Sequence, residues 1–446
     1  MERFSWGKAV NEAWSHVVCP GCECVCDDIA LQSNDAGSVT FEPHCDLGRT
    51  WFQKYAQPCQ ATATVEGQPV DPSAAINRAA EILNSADYPL IYGLSRSSTP
   101  GQRAAIMLAE QLRGVVDTTA SLCHGPSIMA LQEVGEVTST LGEVRNRADL
   151  VIFWGCNPAD SHPRHAERYS VFPQGRLLPG GRSDRKVVMI GSRDQVKDWR
   201  LDPQGSRPDL VIALEPDRDF EALSQLRLLL NDSCRDDASE ELRQLMNLMR
   251  ECRYGVVFFG LGLAKTAMWS GTFDAGSNTG HIDVAALLKL VAELNSVTRF
   301  TARRMRLQGD VSGADSVMCW QTGYPFGVDY SRGFPRYNPG EYTANELLER
   351  QDVNACLLVG AETVRFFSDA AKKHLKSIPT VLLDYPHADP EFSPTVSITS
   401  AVYGIHAAGT IYRMDNVPLS LRRLWDTNLP TDAYVLSEIS SQCHWN

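Results

Sequence analysis

The chain has 446 residues, 43% of them hydrophobic and 22% charged, a length beyond one compact core and a balance typical of a soluble globular enzyme. Its formal net charge of -12 excludes general attraction to nucleic acid or an anionic membrane. No apolar run reaches the roughly 18 residues of a membrane span, and Met1 to Trp14 lacks the apolar core of a signal peptide, so a cytoplasmic address is expected.

In chain order, residues 1–62 form a Cys-rich, turn-rich stretch that reads as a small metal-organised lobe. From Pro72 the pattern changes to a helix over Ser73–Ser85, a strand over Pro89–Gly93 and a helix over Gly101–Leu112. Apolar runs at Leu150–Trp154, Lys186–Ile190, Leu210–Leu214, Gly255–Gly260, Ala355–Gly360 and Thr380–Asp384 predict buried strands. Helical patterns over Phe220–Asn231, Glu240–Cys252, Ile282–Leu294 and Thr343–Arg350 separate them. Polar, Gly-rich breaks at Gly175–Arg185 and Trp269–Gly280 predict surface loops. Strands alternating with helices imply βαβ units, and therefore an α/β fold with parallel sheets covered on both faces across residues 63–446. The turns Tyr92-Gly93-Leu94-Ser95, Trp154-Gly155-Cys156-Asn157-Pro158 and Phe259-Gly260-Leu261-Gly262 follow inferred strands. None is GxGxxG or a Walker A loop, so a dinucleotide of the NAD type is not indicated.

Thirteen cysteines without a secretory signal argue against a disulfide framework. Four stand out, because Cys19, Cys22 and Cys26 give C-x2-C-x3-C and Cys45 follows after 18 further residues. Two readings stand. Four thiolates at this spacing wrap an iron–sulfur cubane, one loop supplying three corners and a distant Cys the fourth; alternatively they make a tetrahedral structural zinc site. The three-residue gap favours the cluster, and His44 beside Cys45 keeps zinc open. Alternation turns Cys24 away from the metal, and Cys59 falls outside the site.

The motif with its trailing Asp27-Asp28, followed by Cys45-Asp46-Leu47-Gly48, resembles the N-terminus of formylmethanofuran dehydrogenase B subunits. Further segments are similar to that family in the same order: Ser121-Leu122-Cys123-His124-Gly125-Pro126-Ser127, Trp154-Gly155-Cys156-Asn157-Pro158 with His162-Pro163-Arg164-His165, Gln321 to Phe326 with Ser331 to Glu341, and Gly409-Thr410-Ile411-Tyr412-Arg413-Met414-Asp415. The resemblance covers residues 18 to about 420.

It implies a multi-lobed molybdopterin-oxidoreductase fold related to formate dehydrogenases, two interleaved lobes following the Cys-rich one. The C-terminal dinucleotide-binding barrel of formate dehydrogenases is not expected, since 32 residues follow Met414. The implied cofactors are a 4Fe-4S cluster on Cys19, Cys22, Cys26 and Cys45, and molybdopterin guanine dinucleotide with molybdenum or tungsten. Cys123 would ligate that metal as a soft thiolate, with His124 beside it to exchange a proton or hold substrate oxygen. Asn157, His162, Arg164 and His165 would contact the pterin phosphates; a loop satisfied by its own contacts is the competing account, as is a core role for Cys123. No motif places the family's active-site arginine.

The implied activity interconverts carbon dioxide or formate and a formylated one-carbon carrier. The implied partners are an amidohydrolase-like A subunit, a C subunit and a formyltransferase D subunit. A second class stays open: a non-redox structural subunit of a formyltransferase/hydrolase complex that releases formate.

Overall fold

The computed structural model describes residues 13–33, 39–56, 59–232, 238–266, 279–307 and 309–444. The chain divides into two compact units, residues 1–122, 308–413 and 418–446 in one and 123–307 with 414–417 in the other. Among the described residues no helix is long and apolar enough to cross a membrane.

The first unit opens with an antiparallel sheet of β1 (Ala13–Val17), β2 (Ile29–Ser33) and β3 (Val39–Glu42), followed by α1 (Asp46–Tyr55). A hairpin of β4 (Ala63–Val65) and β5 (Gln68–Pro69) leads into α2 (Pro72–Asn84), β6 (Pro89–Gly93), α3 (Thr99–Gln111) and β7 (Val115–Thr118). Asp71 starts α2 by accepting the Ser73 N–H at 2.9 Å, with Pro72 pre-set for the first turn.

The second unit contributes α4 (Gly125–Val134), α5 (Leu141–Arg147), β8 (Leu150–Trp154), β9 (Lys186–Ser192), β10 (Leu210–Leu214), α6 (Asp219–Leu230), α7 (Glu240–Glu251), β11 (Tyr254–Phe259), α8 (Gly280–Leu294) and β12 (Arg299–Arg304). Its five strands run parallel in the order β10-β9-β8-β11-β12. The apolar faces of α6, α7 and α8 bury Leu226, Leu245 and Leu287 against Val257 and Ile152 in one core.

The chain then returns to the first unit with α9 (Val311–Thr322), β13 (Val328–Asp329), β14 (Arg336–Tyr337), α10 (Ala344–Glu349), β15 (Ala355–Val359), α11 (Asp369–Leu375), β16 (Thr380–Asp384), β17 (Val396–Thr399), the hairpin β18 (Gly409–Tyr412) and β19 (Pro418–Leu421), and α12 (Asp432–Gln442). Its large sheet has the order β14-β13-β7-β6-β15-β16-β17-β4-β5, parallel from β7 through β17 and antiparallel at both edges.

The predicted alternation is therefore present, as two parallel sheets. The short antiparallel edge strands were not anticipated, because two or three residues carry no readable period. β12 was missed as well: Arg299, Arg303 and Arg304 flank its apolar centre and break the run. The Gly175–Arg185 segment is a surface loop, as expected, and it is tightly held. Buried Arg185 donates to the carbonyl oxygens of Pro173 at 2.7 Å, Gly181 at 2.8 Å and Arg145 at 2.7 Å, which closes the backbone around one guanidinium. Most of the predicted Trp269–Gly280 loop, residues 269–278, lies outside the described residues.

Each sheet has one point where the winding reverses. In the first unit β6 leads through α3 to β7, whereas β15 leads through α11 to β16 on the opposite side. In the second unit β8 leads to β9, and β11 leads through α8 to β12 on the other side. Crevices beyond the carboxyl ends of strands at such points are where open α/β sheets bind ligands. Gly93 allows the first of them: its φ is 117°, and a Cβ there would collide with the carbonyl oxygens of Val359 and Gly360.

Candidate metal and cofactor sites

In the first unit the cysteine loop hangs between β1 and β2. The Cys19 N–H donates to the Cys26 carbonyl at 2.9 Å and the Val25 N–H to that of Cys22 at 3.0 Å, so the loop closes on itself. Val25 is buried at a φ of 41°, a conformation a β-branched residue adopts only when its surroundings enforce it, at a cost of roughly 1–3 kcal/mol. Val18 and Val25 supply that enforcement by packing into a cluster with Tyr403, Ile411, Leu421 and Leu429.

Cys45 is the residue immediately before α1, its side chain making no capping hydrogen bond to the first turn. Cys22, Cys26 and Cys45 lie near enough to Cys19 to act on its thiol. Burial raises the Cys19 thiol well above its ordinary range, and Cys26, Cys22 and Cys45 push it the same way, against the Gly21 N–H. Gly48 leaves the room between two of them: a Cβ on it would lie 3.2 Å from Cys19 Sγ and 3.9 Å from Cys45 Sγ. Among the described residues no group of three or more His, Cys, Asp or Glu side chains converges as a single metal ion requires.

A cavity of about 240 Å³ opens next to this loop, lined by Gly21, Lys54, Arg96, Glu362, Tyr385 and Tyr403 among others. It lies at the carboxyl ends of β6, β15 and β16, the winding-reversal crevice of this sheet. Burial, then the neighbouring Arg96, lowers the Lys54 ammonium, with Asp384 opposing. Burial pushes the Tyr55 phenol up to about 12. The sequence offered one signal for this cavity, the polar turn after Tyr92.

In the second unit Cys123 and His124 are buried immediately before α4, with His124 as its capping residue. His124 Nε2 lies 3.2 Å from the Met305 carbonyl oxygen and Nδ1 lies 3.0 Å from Ser127 Oγ. A carbonyl only accepts, so Nε2 carries the proton and Nδ1 accepts from the Ser127 hydroxyl. Burial, then Arg306 and Arg304, hold this imidazole well below its usual range. It is neutral.

His162 also acts on His124; its own ring is brought down to about 4 by burial, and its Nδ1 meets Ser161 Oγ at 2.9 Å. The His165 ring stands edge-on to Phe258 with centroids 4.5 Å apart, 6.4 Å from the His162 ring, and its Nδ1 meets Ser170 Oγ at 2.9 Å. These three histidines are gathered. Asn157 and Arg164 turn elsewhere: Asn157 Nδ2 donates to Asp160 at 2.7 Å, and Arg164 donates to Glu167 at 2.8 Å and 3.2 Å.

Arg303, Arg304 and Arg306, at and beyond the end of β12, were missed by sequence reasoning. Burial lowers Arg303, and around it Glu136 and Asp415 oppose Arg304 and Arg306. Arg304 pairs with Glu136 at 3.3 Å and Arg303 donates to the Thr138 hydroxyl at 2.7 Å. The readable signal was the run Arg303-Arg304-Met305-Arg306 at a strand's carboxyl end.

No protein-family model matches the chain. It is 35% identical over 425 residues to the B subunit of tungsten-containing formylmethanofuran dehydrogenase 2 of Methanocaldococcus jannaschii, covering 92% of this chain and 93% of that one. The corresponding protein of Methanococcus maripaludis is 34% identical over 427 residues, 93% of this chain and 94% of its own length. The B subunit of the formyltransferase/hydrolase complex of Methylorubrum extorquens is 24% identical over 300 residues, 66% of this chain and 73% of its own. A chain in the crystal structure of that organism's formyltransferase/hydrolase complex with methylofuran shares the fold at a TM-score of 0.68. It is 22% identical and covers 85% of this chain and 98% of its own.

Proposed function

Because the chain belongs to the family of formylmethanofuran dehydrogenase B subunits, we propose that it works as the B subunit of such a complex, interconverting carbon dioxide or formate and a formylated one-carbon carrier. Its partners are then an amidohydrolase-like A subunit, a C subunit and a formyltransferase D subunit, in the cytoplasm. The observation that carries this reading is the meeting of Cys19, Cys22 and Cys26 with Cys45 at the start of α1.

The donor set fits a 4Fe-4S cluster better than zinc. The three-residue gap between Cys22 and Cys26 is what favours the cluster, since zinc sites usually pair C-x2-C with a second C-x2-C. A cubane spreads its ligands over separate corners, and Cys19, Cys22, Cys26 and Cys45 would hold it. The two winding-reversal crevices support a molybdopterin-oxidoreductase fold, each taking one pterin guanine dinucleotide. When bound, the pterin-held molybdenum or tungsten supplies two-electron chemistry at carbon and the cluster supplies one-electron transfer.

The chain's own residues bind and orient. Cys123 would be the thiolate ligand of the metal. His124, neutral and fixed through both nitrogens, holds its ring in place and carries its proton at Nε2. Arg304 and Arg306 supply positive charge for a one-carbon carboxylate, Arg306 filling the arginine role that no motif had placed. His162, His165, Asn157 and Arg164 line the pterin side, the last two by steadying the turn after β8 through Asp160 and Glu167.

A second reading rests on the fold shared with the chain from the formyltransferase/hydrolase complex: a non-redox structural subunit whose partners release formate. Metal and pterin analysis of the purified complex decides between them. Molybdenum or tungsten near one per chain, with pterin and about four iron atoms, supports the redox subunit. Absence of all three supports the structural one.

A further inference from the structure

Resting on the reading of this chain as one subunit of a complex, we propose that the turn at Arg176 and Leu177, set against the end of α5 that carries Arg145 and Arg147, is a docking surface for an acidic face of a different subunit.

The turn lies in the second unit, between β8 and β9, in a segment that the proposed chemistry does not use. Gly175 and Leu178 exchange backbone hydrogen bonds at 3.0 Å and 3.1 Å, which puts Arg176 and Leu177 at the tip. The tip is fastened to α5. The Leu177 N–H donates to the Asn146 carbonyl at 3.1 Å, and the Arg176 N–H to the Asn146 side-chain oxygen at 3.0 Å. Gly175 permits this approach, because a Cβ there would collide with the Arg145 carbonyl oxygen. With Arg185 also closing the segment, the backbone is set before any partner arrives, which removes part of the ordering cost of binding.

Leu178 is fully buried and already anchors the turn, whereas Leu177 is 55% exposed. Arg145, Arg147 and Arg176 are exposed too, and among the described residues none of them has an ion pair. The carboxylates of this region are otherwise engaged: Glu143 accepts from the Thr140 N–H, Asp184 from the Gly180 N–H, and Asp149 pairs with Arg253. A helix end is negative, which accounts for arginines at 145 and 147. It accounts for neither the third arginine nor the leucine.

Unpaired guanidiniums on a chain of net charge -12 select a partner that brings carboxylates. A second copy would bring the same arginines to a twofold contact, and the net charge opposes nucleic acid and anionic membranes. Leu177 adds a demand for an apolar socket, which a protein surface meets. The turn packs where α5 ends and β8 begins, at the amino ends of the parallel strands, whereas small ligands bind beyond the carboxyl ends.

The test is co-expression of the subunits and purification through this chain, for the parent, Arg176→Glu/Leu177→Asn, and Lys289→Glu as a charge change elsewhere on the same unit. Sedimentation at low and high salt reads which subunits stay. The parent is expected to release one subunit as salt rises. The double variant should release that subunit at low salt, with affinity at least about tenfold weaker, while its melting temperature matches the parent and Lys289→Glu keeps the subunit. In Leu177→p-benzoylphenylalanine, irradiation should cross-link the turn to an Asp- and Glu-rich peptide of the same subunit. Retention of every subunit at parent affinity, or a cross-link to a second copy, overturns the docking surface and leaves the subunit reading standing. If the double variant melts lower, the cross-link decides alone: an acidic peptide of another subunit supports the proposal, and any other result overturns it. A parent chain that purifies with no other subunit overturns both.

Discussion

The guanidinium of Arg96 lies 3.0 Å and 3.1 Å from the two carboxylate oxygens of Asp384, joining the turn after β6 to the end of β16 past the intervening β15. Glu362, in the turn after β15, lies 3.4 Å from Arg96 Nε, so three neighbouring strand ends meet on one cation beside the cavity. Asp384 also receives the Ala361 N–H at 2.9 Å and the Tyr385 N–H at 2.7 Å.

Removing the Asp384 charge therefore frees more than one contact. Asp384→Ala is expected to cost roughly 3 kcal/mol, the low end for breaking a buried pair, because Arg96 keeps Glu362 and some solvent. A lower urea midpoint measures it. Asp384→Asn, which retains acceptance from one N–H, is expected to lose less. An unchanged midpoint in both variants would show that the pair does not brace the crevice.

Gly313 has no room for a side chain. A Cβ there would overlap the Asp310 carboxyl, which Gln102 and Tyr412 hold in place. Gly313→Ala is expected to destabilise the protein by about 1–3 kcal/mol, as overpacking does, despite alanine's better helix propensity. Thermal unfolding reads the sign directly, since propensity alone would raise the melting temperature.

Burial pushes the Asp310 carboxyl up to about 7, with the Tyr412 N–H, Gln102 and Gly313 N–H opposing and Asp315 adding to it. In the unfolded chain an aspartate titrates near 3.9. The folded state binds the proton more tightly, so this contribution to stability is complete below about pH 4 and is lost as pH rises towards 7. The urea midpoint is expected to fall over that window. In Asp310→Asn the slope should flatten, even if the variant is weaker at acid pH.

The proposed cluster assigns the loop cysteines different roles. Serine at any of positions 19, 22, 26 or 45 is expected to cut the iron content of the purified complex sharply. Cys24 is also buried in the loop, but it lies outside the C-x2-C-x3-C spacing. Cys24→Ala should therefore keep its iron content. Equal iron loss in Cys24→Ala would show that the loop folds around a different ligand set.

Local sequence was enough for features that local physics controls. Buried strands such as Leu150–Trp154 and Thr380–Asp384 announced themselves as short apolar runs, observed with the same bounds, because a strand covered on both faces has no polar side to show. The spacing of Cys19, Cys22 and Cys26 likewise marked a single turn-rich loop, and that loop closes through the Cys19 N–H to the Cys26 carbonyl. Arg306 beside His124, and Glu23 beneath Ser312, had no such signature. Those partners lie 182 and 289 residues apart, and only the return of the chain through its parallel sheets brings them together. Periodicity records which face of an element avoids water; it does not record which distant turn will supply the charge that the buried face then needs.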